Sequence, residues 1–66
     1  MPFVEVTLTE GRSPEQIRTL ITRLTDATAG SIDAPRESIR VVVREVPATH
    51  YAAGDVTLAE SRKVRS

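Results

Sequence analysis

The 66 residues contain no cysteine and no tryptophan, and only one phenylalanine, one tyrosine and one histidine. Without cysteine there is no disulfide, and without a Cys/His cluster or grouped carboxylates there is no donor set for a metal. Nine basic and nine acidic residues cancel to zero formal charge, which leaves no net field to draw in nucleic acid or an anionic membrane. No apolar run approaches the ~20 residues of a membrane-spanning helix. The N-terminus lacks the basic flank and long apolar core of a secretory signal. These absences lead us to expect a cytoplasmic protein with no nucleic-acid or membrane partner and no metal. Residues 1–66 are read as one domain, and a domain of this size buries only about 60% of its unfolded surface. With no covalent or metal staple, self-association is the natural source of further stability.

What is present is ordered by period. Residues 3–9, Phe3-Val4-Glu5-Val6-Thr7-Leu8-Thr9, alternate with period two. Val4, Val6 and Leu8 fall on one face, and Phe3, Glu5, Thr7 and Thr9 on the other, as in a half-buried strand. Glu10-Gly11-Arg12 turns the chain. Ser13-Pro14-Glu15-Gln16 supplies an N-cap, a proline at the first helical position and a glutamine three residues after the serine, so a helix is expected from Pro14. Ile17, Leu20, Ile21, Leu24 and Ala27 form its buried stripe, and Gly30 is read as its left-handed stop. Asp33-Ala34-Pro35 and Ser38 mark a short connection, followed by the β-branched run Ile39 to Val46, which Pro47 ends. Strand, helix and strand with short joints predict an α/β protein: a single right-handed β-α-β unit with two parallel strands. Residues 48–66 read as a loop, a short strand over Val56-Thr57-Leu58 able to form a C-terminal hairpin, and a polar, basic tail.

One helix covers only one face of a parallel sheet, which normally has both covered. Val41 and Val43 are expected to face the helix; Arg40, Val42 and Arg44, with Phe3 beside them, then point away. The sheet is therefore expected to be completed by oligomerisation.

Six residues carry candidate chemistry: Pro2, Arg12, Arg40, Arg44, His50 and Tyr51. A small second residue lets Met1 be removed, after which Pro2 presents a secondary amine. Ordinary α-amino groups titrate at about 7.7–8.0, and proline's is somewhat more basic. Burial and neighbouring arginines both disfavour its ammonium form, which makes Pro2 a base without a side chain. Arg12 precedes a helix N-terminus, where unpaired amides already favour an anion, and is either a carboxylate grip or a solvated loop residue. His50 is read as structural or solvent-facing, and Tyr51 as a pocket wall or interface packing. At about 3.3 Å per strand residue, Arg12 lies over roughly 20 Å from its own Pro2, so the two meet only if Arg12 comes from a neighbouring subunit. Arg40 opens the second parallel strand and so lies near Pro2.

Pro2, Glu10-Gly11-Arg12-Ser13, Asp33-Ala34-Pro35, Ser38-Ile39-Arg40-Val41 and His50-Tyr51, in this order and spacing, resemble the 4-oxalocrotonate tautomerase family over residues 2–51. The resemblance implies β-α-β protomers paired through their sheets, usually in hexamers built as trimers of dimers, working without a cofactor. It implies Pro2 as general base, Arg12 as the grip on the distal carboxylate, and Arg40 as the residue that holds the 2-oxo or 2-hydroxy end and stabilises the enolate. The implied substrate is a small enol or keto dicarboxylic acid, with Tyr51 as the aromatic wall where the family usually has phenylalanine. Ala52-Ala53-Gly54-Asp55 replaces the family's glycine-rich stretch, and the tail carries extra residues.

The chemistry needs a neutral base, two anion grips and a dry pocket, which this set supplies. Two other readings stand beside it. One is a hydratase or dehalogenase of unsaturated acids with protonated Pro2 as the acid. The other is a non-catalytic self-associating module whose arginines are interface ion pairs.

Overall fold

The computed structural model describes residues 1–65, with side chains through Arg62; Ser66, the last residue of the expected tail, lies outside them. Strand β1, Phe3–Thr9, shows the expected alternation, with Phe3, Glu5 and Thr7 exposed and Val4, Val6 and Leu8 half-buried. Strand β2, Arg40–Val46, pairs with it in parallel, in the register Phe3 with Arg40, Val4 with Val41, through Thr9 with Val46. The strand starts one residue later than its β-branched run. Ile39 donates its backbone N–H to the Arg36 carbonyl at 3.1 Å, closing a 3-10 turn over Arg36–Ser38, before the ladder begins.

Helix α1, Pro14–Ile32, starts where expected. The Ser13 N–H donates to Gln16 Oε1 at 2.9 Å and the Gln16 N–H donates to Ser13 Oγ at 3.1 Å, so two orphan donors of the helix start are satisfied reciprocally. The end differs from expectation. Gly30 is helical, and Asp33 takes the left-handed position at φ 55°, its N–H donating to the Ala29 carbonyl. Asp tolerates this conformation better than most residues, and Pro35 stops further winding. The inward stripe also ends differently, with Ala27 exposed and Thr28 half-buried. At about 100° per residue, Thr28 returns beneath Ile17 whereas Ala27 has rotated away.

Residues beyond Pro47 are more ordered than the expected loop and tail. A 3-10 turn over Ala48–His50 leads into a hairpin of β3, Ala52–Ala53, and β4, Val56–Thr57, closed by Gly54 and Asp55 at φ 58° and 67°. Positive φ at both central residues is what a tight two-residue hairpin turn requires. Helix α2, Leu58–Arg65, follows directly, capped when the Thr57 N–H donates to Glu60 Oε1 at 3.0 Å and the Glu60 N–H donates to Thr57 Oγ1 at 3.1 Å. Thr57-x-x-Glu60 is the same kind of capping signature as at Ser13, but the polar residues after it give no apolar stripe from which a helix is expected. Thr9, expected on the open face, is only 7% exposed. Tyr51 and Leu58 border a cleft with Thr9 at this end of the sheet.

The core is thin. Among the described residues, Ile39 is the one buried apolar side chain, and none falls below 2% exposure. The radius of gyration is 15.1 Å. A compact chain of this length has about 11 Å. The accessible surface is 5067 Å², against roughly 4,100 Å² for a folded monomer of this mass. Among the described residues, no helix is long and apolar enough to cross a membrane.

Candidate active site

Pro2 and Arg40 meet at one end of the sheet. The Arg40 backbone N–H donates to the Pro2 carbonyl at 3.0 Å, extending the parallel ladder one step past β1. Pro2 is half-buried beneath Met1, itself 86% exposed, so its nitrogen is an amide until Met1 is removed. The Arg40 guanidinium bends back, Nη1 donating to the Glu37 carbonyl at 3.1 Å. That bond anchors the arginine at the mouth of the 3-10 turn and leaves its other donors open at the same edge.

Arg12 and Tyr51 meet at the opposite end. They border one cleft of about 310 Å³ with Thr7, Leu8, Thr9 and Leu58. The chain arrives there twice. β1 ends beside β2, where the Glu10 N–H donates to the Val46 carbonyl at 2.9 Å, and Gly11 at φ 128° swings Arg12 toward the N-terminus of α1. Pro47 and the 3-10 turn then bring Tyr51 back, and the Leu58 N–H donates to the Tyr51 carbonyl at 2.8 Å. Among the described residues, neither the Arg12 guanidinium nor the Tyr51 hydroxyl has a side-chain or backbone partner in the protomer. An unpaired guanidinium beside a phenol, two threonines and two leucines can grip a carboxylate while contacting an apolar stem. Thr7 and Thr9 reach the cleft from the end of β1, close to Arg12 in the chain, whereas Tyr51 and Leu58 come from the C-terminal segment.

The four site residues thus fall into two pairs separated by the length of β1, about 20 Å at strand spacing. No small molecule bridges them within one protomer. His50 is exposed in its turn, its backbone N–H donating to the Pro47 carbonyl at 2.8 Å. Among the described residues, no group of three or more His, Cys, Asp or Glu side chains gathers as metal ligands do. Arg44 is engaged elsewhere, Nη1 lying 2.7 Å from Glu5 Oε2 on the open sheet face.

The profile of the tautomerase enzyme family matches residues 2–61. A 2-hydroxymuconate tautomerase of a Pseudomonas species is 38% identical over 63 residues, which span 96% of this chain and 100% of the relative. Among solved structures, a 4-oxalocrotonate tautomerase homologue of the tomaymycin biosynthetic pathway superposes with a TM-score of 0.95 at 38% identity, covering 98% of this chain and 100% of its own. A heterohexamer 4-oxalocrotonate tautomerase from Chloroflexus aurantiacus gives 0.88 at 38% identity, covering 91% of this chain and 97% of its own. With the parallel β-α-β unit, the terminal hairpin and this match along nearly the whole length, the chain belongs to the tautomerase enzyme family, an isomerase of the 4-oxalocrotonate tautomerase group.

Proposed function

We propose that residues 1–66 form one catalytic domain that moves a proton along a small 2-hydroxy-dienoate or related enol keto acid, without a cofactor. Pro2, once Met1 is removed, is the general base. It takes the enol proton, the electron pair shifts along the conjugated chain, and the same amine returns the proton to a carbon farther along. Arg40 holds the oxygenated end and stabilises the enolate. Arg12, from a neighbouring protomer, holds the distal carboxylate and draws electron density toward it, with Tyr51 walling the cleft.

The observation that supports this reading is the 3.0 Å hydrogen bond from the Arg40 N–H to the Pro2 carbonyl, which makes the two residues neighbours at one edge of the sheet. The two-ended split of the four residues supports a site shared between copies. The reading therefore includes a homo-oligomer, a hexamer arranged as a trimer of dimers, in line with the hexameric relative.

A preparation that retains Met1 tests the base. The amide nitrogen takes no proton at neutral pH, so turnover of 2-hydroxymuconate is expected to fall by about 10²–10⁴-fold, the usual contribution of a placed base. Equal rates for the blocked and processed chains would refute the role of Pro2. In the processed enzyme the rate falls as the pH drops below the amine's pKa; a rate that falls above it instead would mark Pro2 as an acid, as in a hydratase or dehalogenase.

A further inference from the structure

The sheet face turned away from α1 is a small grid. Phe3 lies beside Arg40, Glu5 beside Val42, and Thr7 beside Arg44. Phe3 is 60% exposed, and at the Thr9 end of the sheet Tyr51 and Leu58 border a cleft with Thr7 and Thr9. Across the grid, Arg44 Nη1 reaches diagonally to Glu5 Oε2 at 2.7 Å, with side chains 61% and 46% exposed. Arg40 is drawn off the grid to the Glu37 carbonyl. An exposed pair of this kind contributes little to a lone protomer.

Its surroundings give it a different value. The protomer exposes roughly 900 Å² more than a folded monomer of its mass, close to the ~800 Å² each partner buries in a standard interface. The bare face is the one a parallel sheet normally has covered. When symmetric copies bring this face together, each unpaired charge on it is repeated in every copy with the same sign. With Glu5 and Arg44 paired within one protomer, the faces meet without that repulsion.

We infer that the Glu5–Arg44 pair is the charge-balancing element of the self-association face, and that the partner this face fits is a second copy carrying the same internal pair. The inference rests on the self-associating reading proposed above. A face holding only the arginine, or only the glutamate, would select an oppositely charged chain instead.

Sedimentation and native mass spectrometry at low micromolar concentration, on the processed chain and on Glu5→Gln, Arg44→Gln and the double variant, test it. Each single variant leaves one charge buried without a partner and is expected to weaken assembly about a hundredfold or more. The double variant, able to pair two amides, is expected to return to within about tenfold of the parent. Far-UV circular dichroism is expected to stay unchanged throughout, placing the effect at the interface. Single variants that assemble like the parent, or a double variant no better than the singles, would overturn the role of the pair while leaving self-association standing. A parent chain that is monomeric would overturn both.

Discussion

In the site proposed above, Arg40 acts through shape as well as charge. Arg40 spends one N–H on the Glu37 carbonyl, and on the proposed reading the rest of its planar fork serves an oxygenated substrate end. Lysine at this position preserves the charge but cannot hold a backbone carbonyl and two substrate oxygens in one plane. Arg40→Lys is therefore expected to lower kcat/KM about 10–100-fold, the value of one or two hydrogen bonds to a charged group. Steady-state kinetics with a 2-hydroxy-dienoate checks this, and an unchanged kcat/KM would show that charge alone suffices. The position of Arg40 was legible in the sequence because parallel strands start at the same edge. The meeting of Arg12 with Tyr51 and Leu58 was not, because those two residues lie about forty positions farther along the chain.

The helices carry two tests of their own. Gly30 lies inside α1, with ordinary helical backbone and open space where a Cβ would sit. Gly30→Ala is expected to stabilise the chain by about 0.5–1 kcal/mol, seen as a raised midpoint in chemical denaturation. Had Gly30 been the helix stop, the same change would have destabilised it. At α2, the backbone N–H of Thr57, and after it the Thr57 side chain, hold the Glu60 carboxyl below 4.5. A lowered folded-state pKa favours the charged form, so this cap is complete above 4.5 and is lost as the pH falls through the folded value. The protection of the α2 amides, measured against the free-chain exchange rate at the same pH, is expected to fall on acidification through the folded value, and Glu60→Gln is expected to abolish that loss. Strands and the first helix were readable because their periods and caps agree. The second helix has a cap but too little apolar periodicity to announce itself.

At the scale of the whole molecule, the proposed site has its two halves separated by the length of β1, and catalysis is then a property of the assembly. A chain that retains Met1 lacks the base but keeps Arg12; an Arg12→Ala chain keeps the base but lacks the distal grip. Each alone is expected to be poorly active. Mixed under conditions that exchange subunits, they form some sites with both groups intact, up to about one quarter if copies combine at random in a symmetric oligomer. Recovery in the mixture, read by the same kinetic assay, checks that the site is shared. No recovery after verified subunit exchange would mean that each protomer works alone.

The sequence by itself determined the β-α-β order, the parallel pairing and the placing of Pro2 with Arg40, because local periods, caps and strand direction depend on near neighbours in the chain. It also foretold an uncovered sheet face by counting helices. Only the folded chain decided that Tyr51 returns to border a cleft with Thr9 and Arg12, and that Leu58 lines the same cleft. Those outcomes depend on which distant groups come to share a surface, and spacing along a chain carries no record of that.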